Sequence, residues 1–136
     1  MIKPIVTDTH QLQQPSRLAS RADLPLATDL KDTLTAHRDA CVGMAANMIG
    51  VHKRVIIAQL GPLPVVMFNP TLTSKAQPYP VKEGCLSLTG QRPTTRYKRI
   101  TVDFFNEHWQ RQQLTLTDFA AEIVQHELDH CQGILI

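Results

Sequence analysis

The stretch "TDFAAEIVQHELDHCQG" (Thr117–Gly133) is the clearest helix in the chain and decides how the rest is read. Thr117 or Asp118 can cap its start. Phe119, Ile123, Val124 and Leu128 supply apolar faces, and Gly133 stands where a C-terminal cap belongs. Residues four apart on a helix point the same way. His126 and His130 therefore present two imidazoles to one point, and Glu127 lies beside that point rather than on it. This H-E-x-x-H spacing suits two metal ligands and a carboxylate that handles a water proton.

A catalytic site of this kind wants three protein ligands and one open position. Only Cys131, Gln132, Gly133, Ile134, Leu135 and Ile136 follow His130. Cys131 is one residue further round the helix, about 100° away, and reads as a small core residue. The third donor is therefore sought upstream, among Cys41, Cys85, His10, His37, His52 and His108. Cys85 is best placed, in the short glycine-bounded segment "KEGCLSLTG" (Lys82–Gly90). A Cys/His/His set with an open position argues for hydrolysis rather than a closed structural zinc site.

Outward from this helix, the pattern is mixed. "RVIIAQL" (Arg54–Leu60) and "LPVVMFNP" (Leu63–Pro70) flank Gly61-Pro62 and predict a hairpin. "TLTSKAQ" (Thr71–Gln77) reads as a further strand. "RITVDFF" (Arg99–Phe105) and "RQQLTLT" (Arg111–Thr117) enclose a second hairpin turn, with Trp109 as a packing residue. A first helix is expected from about Thr28 to Gly43, with Leu30, Leu34, His37 and Cys41 on one face. Residues 1–27 read as irregular, broken by Pro4, Pro15 and Pro25. The sum is an α+β fold, with antiparallel sheets packed around the C-terminal helix and one further helix nearer the N-terminus.

At 136 residues the chain is expected to form one domain, 1–136. Hydrophobic residues are 43% and charged residues 19%, as in an ordinary globular protein. A net charge of +2 argues against direct nucleic-acid or membrane binding. The basic cluster "RYKR" (Arg96–Arg99) reads as a solvated strand edge. No signal peptide is visible, and three cysteines are an odd count for a disulfide framework; both point to a reducing cytoplasm.

Three segments together resemble one family. "VGMAANMIG" (Val42–Gly50), "EGCLS" (Glu83–Ser87) and "QHELDH" (Gln125–His130) look like the motifs of peptide deformylases, and the resemblance covers most of the chain. It implies removal of the formyl group from N-formylmethionyl peptides of bacteria. The expected cofactor is one divalent ion, Fe2+ first, with Zn2+, Ni2+ or Co2+ as substitutes. The ribosome surface near the exit tunnel is an expected partner.

Carried over by motif, the ligands are Cys85, His126 and His130. Glu127 takes the proton of the metal-bound water and passes it to the leaving amine, and the Leu86 backbone N–H helps hold the oxyanion. Gly43 resembles the position whose backbone meets the peptide. Arg92 matches a basic residue that follows the cysteine motif. Phe119 and Ile123 resemble positions lining the methionine pocket, where plain core contacts are an equal alternative.

The chain departs from the family pattern in three places. Cys41 replaces the first glycine of the first motif. Met48 replaces its glutamine, whose amide helps stabilise the oxyanion; a thioether donates no hydrogen bond. Asn47, next to Met48, is expected to point the other way along an extended segment. Glu122 falls near the pocket at a position more often apolar or basic, and is expected to face solvent. The alternative reading is a weak or inactive relative that binds metal and peptide N-termini. A zinc endopeptidase fits worse, because it takes its third ligand downstream.

Overall fold

The computed structural model describes residues 1–136. Its centre is one five-stranded antiparallel sheet, in the order β1-β2-β3-β4-β5. The strands are β1 (Gly43–Ala45), β2 (Val55–Leu60), β3 (Leu63–Cys85), β4 (Leu88–Phe105) and β5 (Arg111–Thr117). Three α-helices accompany it: α1 (Thr9–Leu12), α2 (Leu26–Ala36) and α3 (Asp118–Cys131). This is the α+β arrangement that the sequence predicts, with one sheet where several were expected.

The sheet is buried on both faces, which explains the unbroken apolar run of β2. Alternate residues of a strand face opposite sides. Val55 and Ile57 of β2, with Val66 and Phe68 of β3, pack against Leu30 and Leu34 of α2. Ile56 and Ala58, with Met67, Ile100 and Val102, pack against Ala121, Val124 and Leu128 of α3. The helix that carries the histidines is thus one outer layer of the fold. Trp109 stacks on Phe105 at 4.8 Å between ring centroids and meets Phe68 edge-on at 5.7 Å.

Both expected hairpins form, with Leu60 opposite Leu63 and Phe105 opposite Arg111. The stretch between them differs from expectation. "TLTSKAQ" and "KEGC" are not separate short segments but parts of the 23-residue β3, which continues through Pro70, Pro78 and Pro80. Beyond Phe68, β3 has left β2 and pairs with β4 alone. A proline whose missing N–H falls on the free side costs no ladder bond. Cys85 closes opposite Leu88, so the cysteine motif is the tip of a long hairpin. Asn69 sits at a register shift near the base of this arm, with φ of 52°. Its amide accepts from the Ala19 N–H at 2.7 Å and donates to the Ala19 carbonyl at 3.0 Å.

The first helix is shorter than its apolar pattern suggests. α2 begins at Leu26 and ends at Ala36, and Gly43 is a strand residue rather than a helix stop. A Cβ at Gly43 would lie 2.8 Å from both Glu127 Oε2 and Ile123 Cγ2, so glycine is needed where α3 approaches β1. The N-terminal 27 residues are not wholly irregular. Asp8 caps α1, its Oδ1 accepting from the His10 N–H at 2.9 Å, and Leu12 is fully buried. Four helical residues are too few to show a period.

α3 has Thr117 as its N-cap residue, without a side-chain capping bond. Its C-terminus closes with paired bonds, Gly133 N–H to the His130 carbonyl and Ile134 N–H to the Asp129 carbonyl, both 3.0 Å. This Schellman arrangement needs a left-handed residue, and Gly133 has φ of 77°. No helix is long and apolar enough to cross a membrane.

Candidate metal centre

The H-E-x-x-H turn of α3 is held at both ends. Asn47 Nδ2 donates to the His130 carbonyl at 3.0 Å, and the Ser16 N–H donates to the Cys131 carbonyl at 2.8 Å. Asn47 lies in a 3-10 turn, Ala46–Ile49, not in an extended segment, yet it does point away from the cavity that Met48 lines. His126, Glu127 and His130 are all buried.

Of the upstream donors considered, the structure brings Cys85 to the two histidines. Cys85 Sγ lies 3.3 Å from His130 Nε2, and the two Nε2 atoms lie 3.1 Å apart. All three donor atoms fall within 4.8 Å of one another. Two imidazole lone pairs at such range repel unless a proton or cation sits between them. Tetrahedral bonds of about 2.1 Å to nitrogen and 2.3 Å to sulfur place ligand atoms roughly 3.4–3.6 Å apart. The donor set therefore fits a single divalent ion of the iron or zinc type. Among the other candidates, His37 Nδ1 meets the Thr33 carbonyl at 2.9 Å and His52 Nε2 the Gln11 carbonyl at 2.9 Å. Cys131 is buried in the apolar layer under α3.

Behind the donors stands a charged network that the sequence reading missed. His126 Nδ1–H donates to Glu83 Oε1 at 2.8 Å. The same carboxylate accepts two Arg96 bonds, from Nη2 at 2.7 Å and from Nε at 2.9 Å. Arg96 Nη1 also donates to Asp129 at 2.6 Å. So Arg96 is not part of a solvated edge: it is buried, and ties the β3–β4 arm to α3. The signal lay in strand parity. Glu83 and Arg96 sit on paired strands, but a basic tetrapeptide does not say which of its members faces inward.

This network sets the local charges. Burial alone would raise the Glu83 carboxyl, but its bonds to His126 and Arg96 hold it down at about 2. Burial opposes charge on His126, yet Cys85 and Glu83 raise it to about 10. His130 is pushed down to about 3 by burial and by the charge on His126. Glu127 has no such partner. Burial lifts it to about 7, its Oε1 has no hydrogen-bond partner, and it lines the cavity at the donors.

That cavity has a volume of about 620 Å³. Met48, Leu86, Gly43, Phe119 and Ile123 all line it. Met48 is buried, and its sulfur accepts the Ala45 N–H at 3.5 Å. Cys41 is a wall residue whose thiol donates to the Gly43 carbonyl at 2.7 Å. Phe119 is largely exposed at the rim, whereas Ile123 is buried. Two placements differ from expectation. Arg92 is outside the lining, and its Nη1 donates to the Thr89 carbonyl at 3.0 Å, bracing the turn after the cysteine motif. Glu122 does not face open solvent: it lines the cavity, and the Tyr79 hydroxyl donates to its Oε1 at 3.2 Å.

The family model for polypeptide deformylase matches residues 2–136. A peptide deformylase of Clostridium beijerinckii is 46% identical over 136 residues, all of this chain and all of that protein. Among solved structures, a Met-Ala-Ser-bound class I type b peptide deformylase from Acinetobacter baumannii is 27% identical. It superposes with a TM-score of 0.90 over 99% of this chain and 97% of that one. The peptide deformylase of Thermotoga maritima gives a TM-score of 0.88 at 26% identity, over 99% and 95%.

Proposed function

Because the chain belongs to the polypeptide deformylase family, we propose that it hydrolyses the formamide of N-formylmethionyl peptides with one divalent ion held by Cys85, His126 and His130. The observation that carries this reading is Glu127: a buried carboxyl, one oxygen unpartnered, in the same cavity as three converging donors. A closed structural site has no use for such a group, and a general base near neutrality does.

The ion, Fe2+ first and Zn2+, Ni2+ or Co2+ as substitutes, would supply Lewis acidity toward the formyl carbonyl and water. The remaining work falls to the chain. Glu127 takes the proton from the attacking water and returns it to the departing amine. The Leu86 N–H, at the hairpin tip, holds part of the charge that grows on the formyl oxygen. Gly43 meets the peptide backbone, so its carbonyl must first exchange the Cys41 thiol for the substrate. Ile123 and the rim residue Phe119 take the first side chain. Met48 adds no donor, which makes the expected turnover slow. Arg92 acts at one remove, by bracing the tip. The setting is the cytoplasm, where formylated chains leave the ribosome near its exit tunnel.

The test is formate release from a formyl-Met tripeptide by protein loaded with iron under anaerobic conditions. Ion content of Cys85→Ala is measured alongside. Release by the parent protein and loss of bound ion in the variant support the reading. Full ion content without Cys85 would sink the ligand assignment.

A further inference from the structure

Glu122 is the one acid of the cavity that neither the donor network nor the proton transfer uses. It stands four residues before His126 on α3, and therefore on the same helix face. Val42, Phe119 and Ile123 form the apolar walls near it. Its carboxyl is held from the opposite side by the Tyr79 hydroxyl of β3, at 3.2 Å to Oε1. It takes part in none of the chain's ion pairs, although Lys82 lines the same cavity.

A carboxyl fixed in an apolar wall has a simple consequence for what enters. Charged or protonated, it keeps acceptor lone pairs. An aliphatic side chain pressed against it strips away water and returns no hydrogen bond. A side chain that ends in N–H replaces the lost water. Leaving a buried polar group unpaired costs more than a good bond gains, which sharpens the choice.

We propose that Glu122 sets side-chain selectivity in this cavity, favouring formyl peptides whose first side chain ends in a hydrogen-bond donor over aliphatic ones of equal length. The inference rests on the deformylase reading for its substrate class. Glutamine is the natural probe, because it matches methionine in length and ends in an amide. Norleucine is the matching apolar probe.

The experiment compares kcat/KM for formyl-Gln-Ala-Ser and formyl-Nle-Ala-Ser in the ion-loaded parent, Glu122→Leu and Glu122→Gln. Calorimetry on the unformylated tripeptides Gln-Ala-Ser and Nle-Ala-Ser supplies a readout that needs no turnover. The Gln:Nle preference is expected to fall about tenfold from parent to Glu122→Leu, roughly the worth of one well-placed hydrogen bond. Glu122→Gln, which keeps an acceptor oxygen, should retain most of it. Equal preference in the parent and Glu122→Leu would overturn the proposal, as would no detectable binding of either tripeptide. If no protein releases formate but binding shows the shift, the deformylase reading fails and the selectivity stands.

Discussion

The carboxylate of Glu127 packs against the backbone of Gly43, so closely that a single added methyl group would lie 2.8 Å from Oε2. The proposed base and the proposed peptide-binding strand thus share one van der Waals surface. Gly43→Ala should displace Glu127 while leaving the three donors alone. We expect kcat to fall by about 100-fold, the typical cost of misplacing a reacting group by an ångström. Bound ion, measured by metal analysis, should be unchanged.

Met48 gives the opposite expectation. Its sulfur is spent on the Ala45 N–H, and it offers nothing to an oxyanion. Met48→Gln should raise kcat for a formyl-Met peptide by at least about tenfold, within the 10²–10³ typical of one oxyanion donor. An unchanged rate would show that the donor comes from elsewhere.

The acid limb of the pH–rate profile should belong to Glu127. A base works only when deprotonated, so activity falls tenfold per pH unit below its pKa. Burial raises that value to about 7 in the ion-free protein. A nearby cation favours the carboxylate, so the limb of the loaded enzyme should lie at or below pH 7. Glu127→Gln should abolish turnover at every pH and still bind the ion.

Glu83 holds His126 by its Nδ1, leaving Nε2 free for the ion. Glu83→Gln should weaken ion affinity by roughly 10–100-fold, as is typical when such a partner is lost. Arg96→Met should act on the fold instead, because it strands two buried carboxylates. A loss on the order of 3 kcal/mol in urea denaturation is expected.

Gly133 offers a test of stability away from the cavity. Its φ is 77°, and a Cβ there would lie 2.2 Å from the Gln13 carbonyl oxygen. Gly133→Ala should lower the urea midpoint, by more than about 1 kcal/mol, because both strain and collision oppose it.

What the sequence made legible follows from periodicity and motif. α3 was readable because its apolar face, its cap and its histidines agree on one register. The hairpins at Gly61 and Asn106 were readable because turn residues separate β-rich runs. Other features depend on contacts between distant segments. The length of β3 depends on which of its edges is free, and prolines in the string read as breaks. Arg96 was misread because a basic run carries no mark of which member faces Glu83. Glu122 was misread for a similar reason: its face is decided by Tyr79, 43 residues away. In the site, ligand identity followed from motif alone, while the bracing behind it needed three dimensions.

The long hairpin of β3 and β4 has a mechanical side. Cys85 stands at the free end of an arm that, past Phe68, leans on a single neighbouring strand. His126 and His130 stand on the rigid outer layer. The sulfur is thus delivered by a cantilever and the nitrogens by a fixed wall. Two fasteners join them: the Arg96 cross-tie to Glu83 and Asp129, and the ion itself. Chelation removes one of the two, and amide exchange should then quicken at the hairpin tip while the sheet beneath α2 keeps its protection.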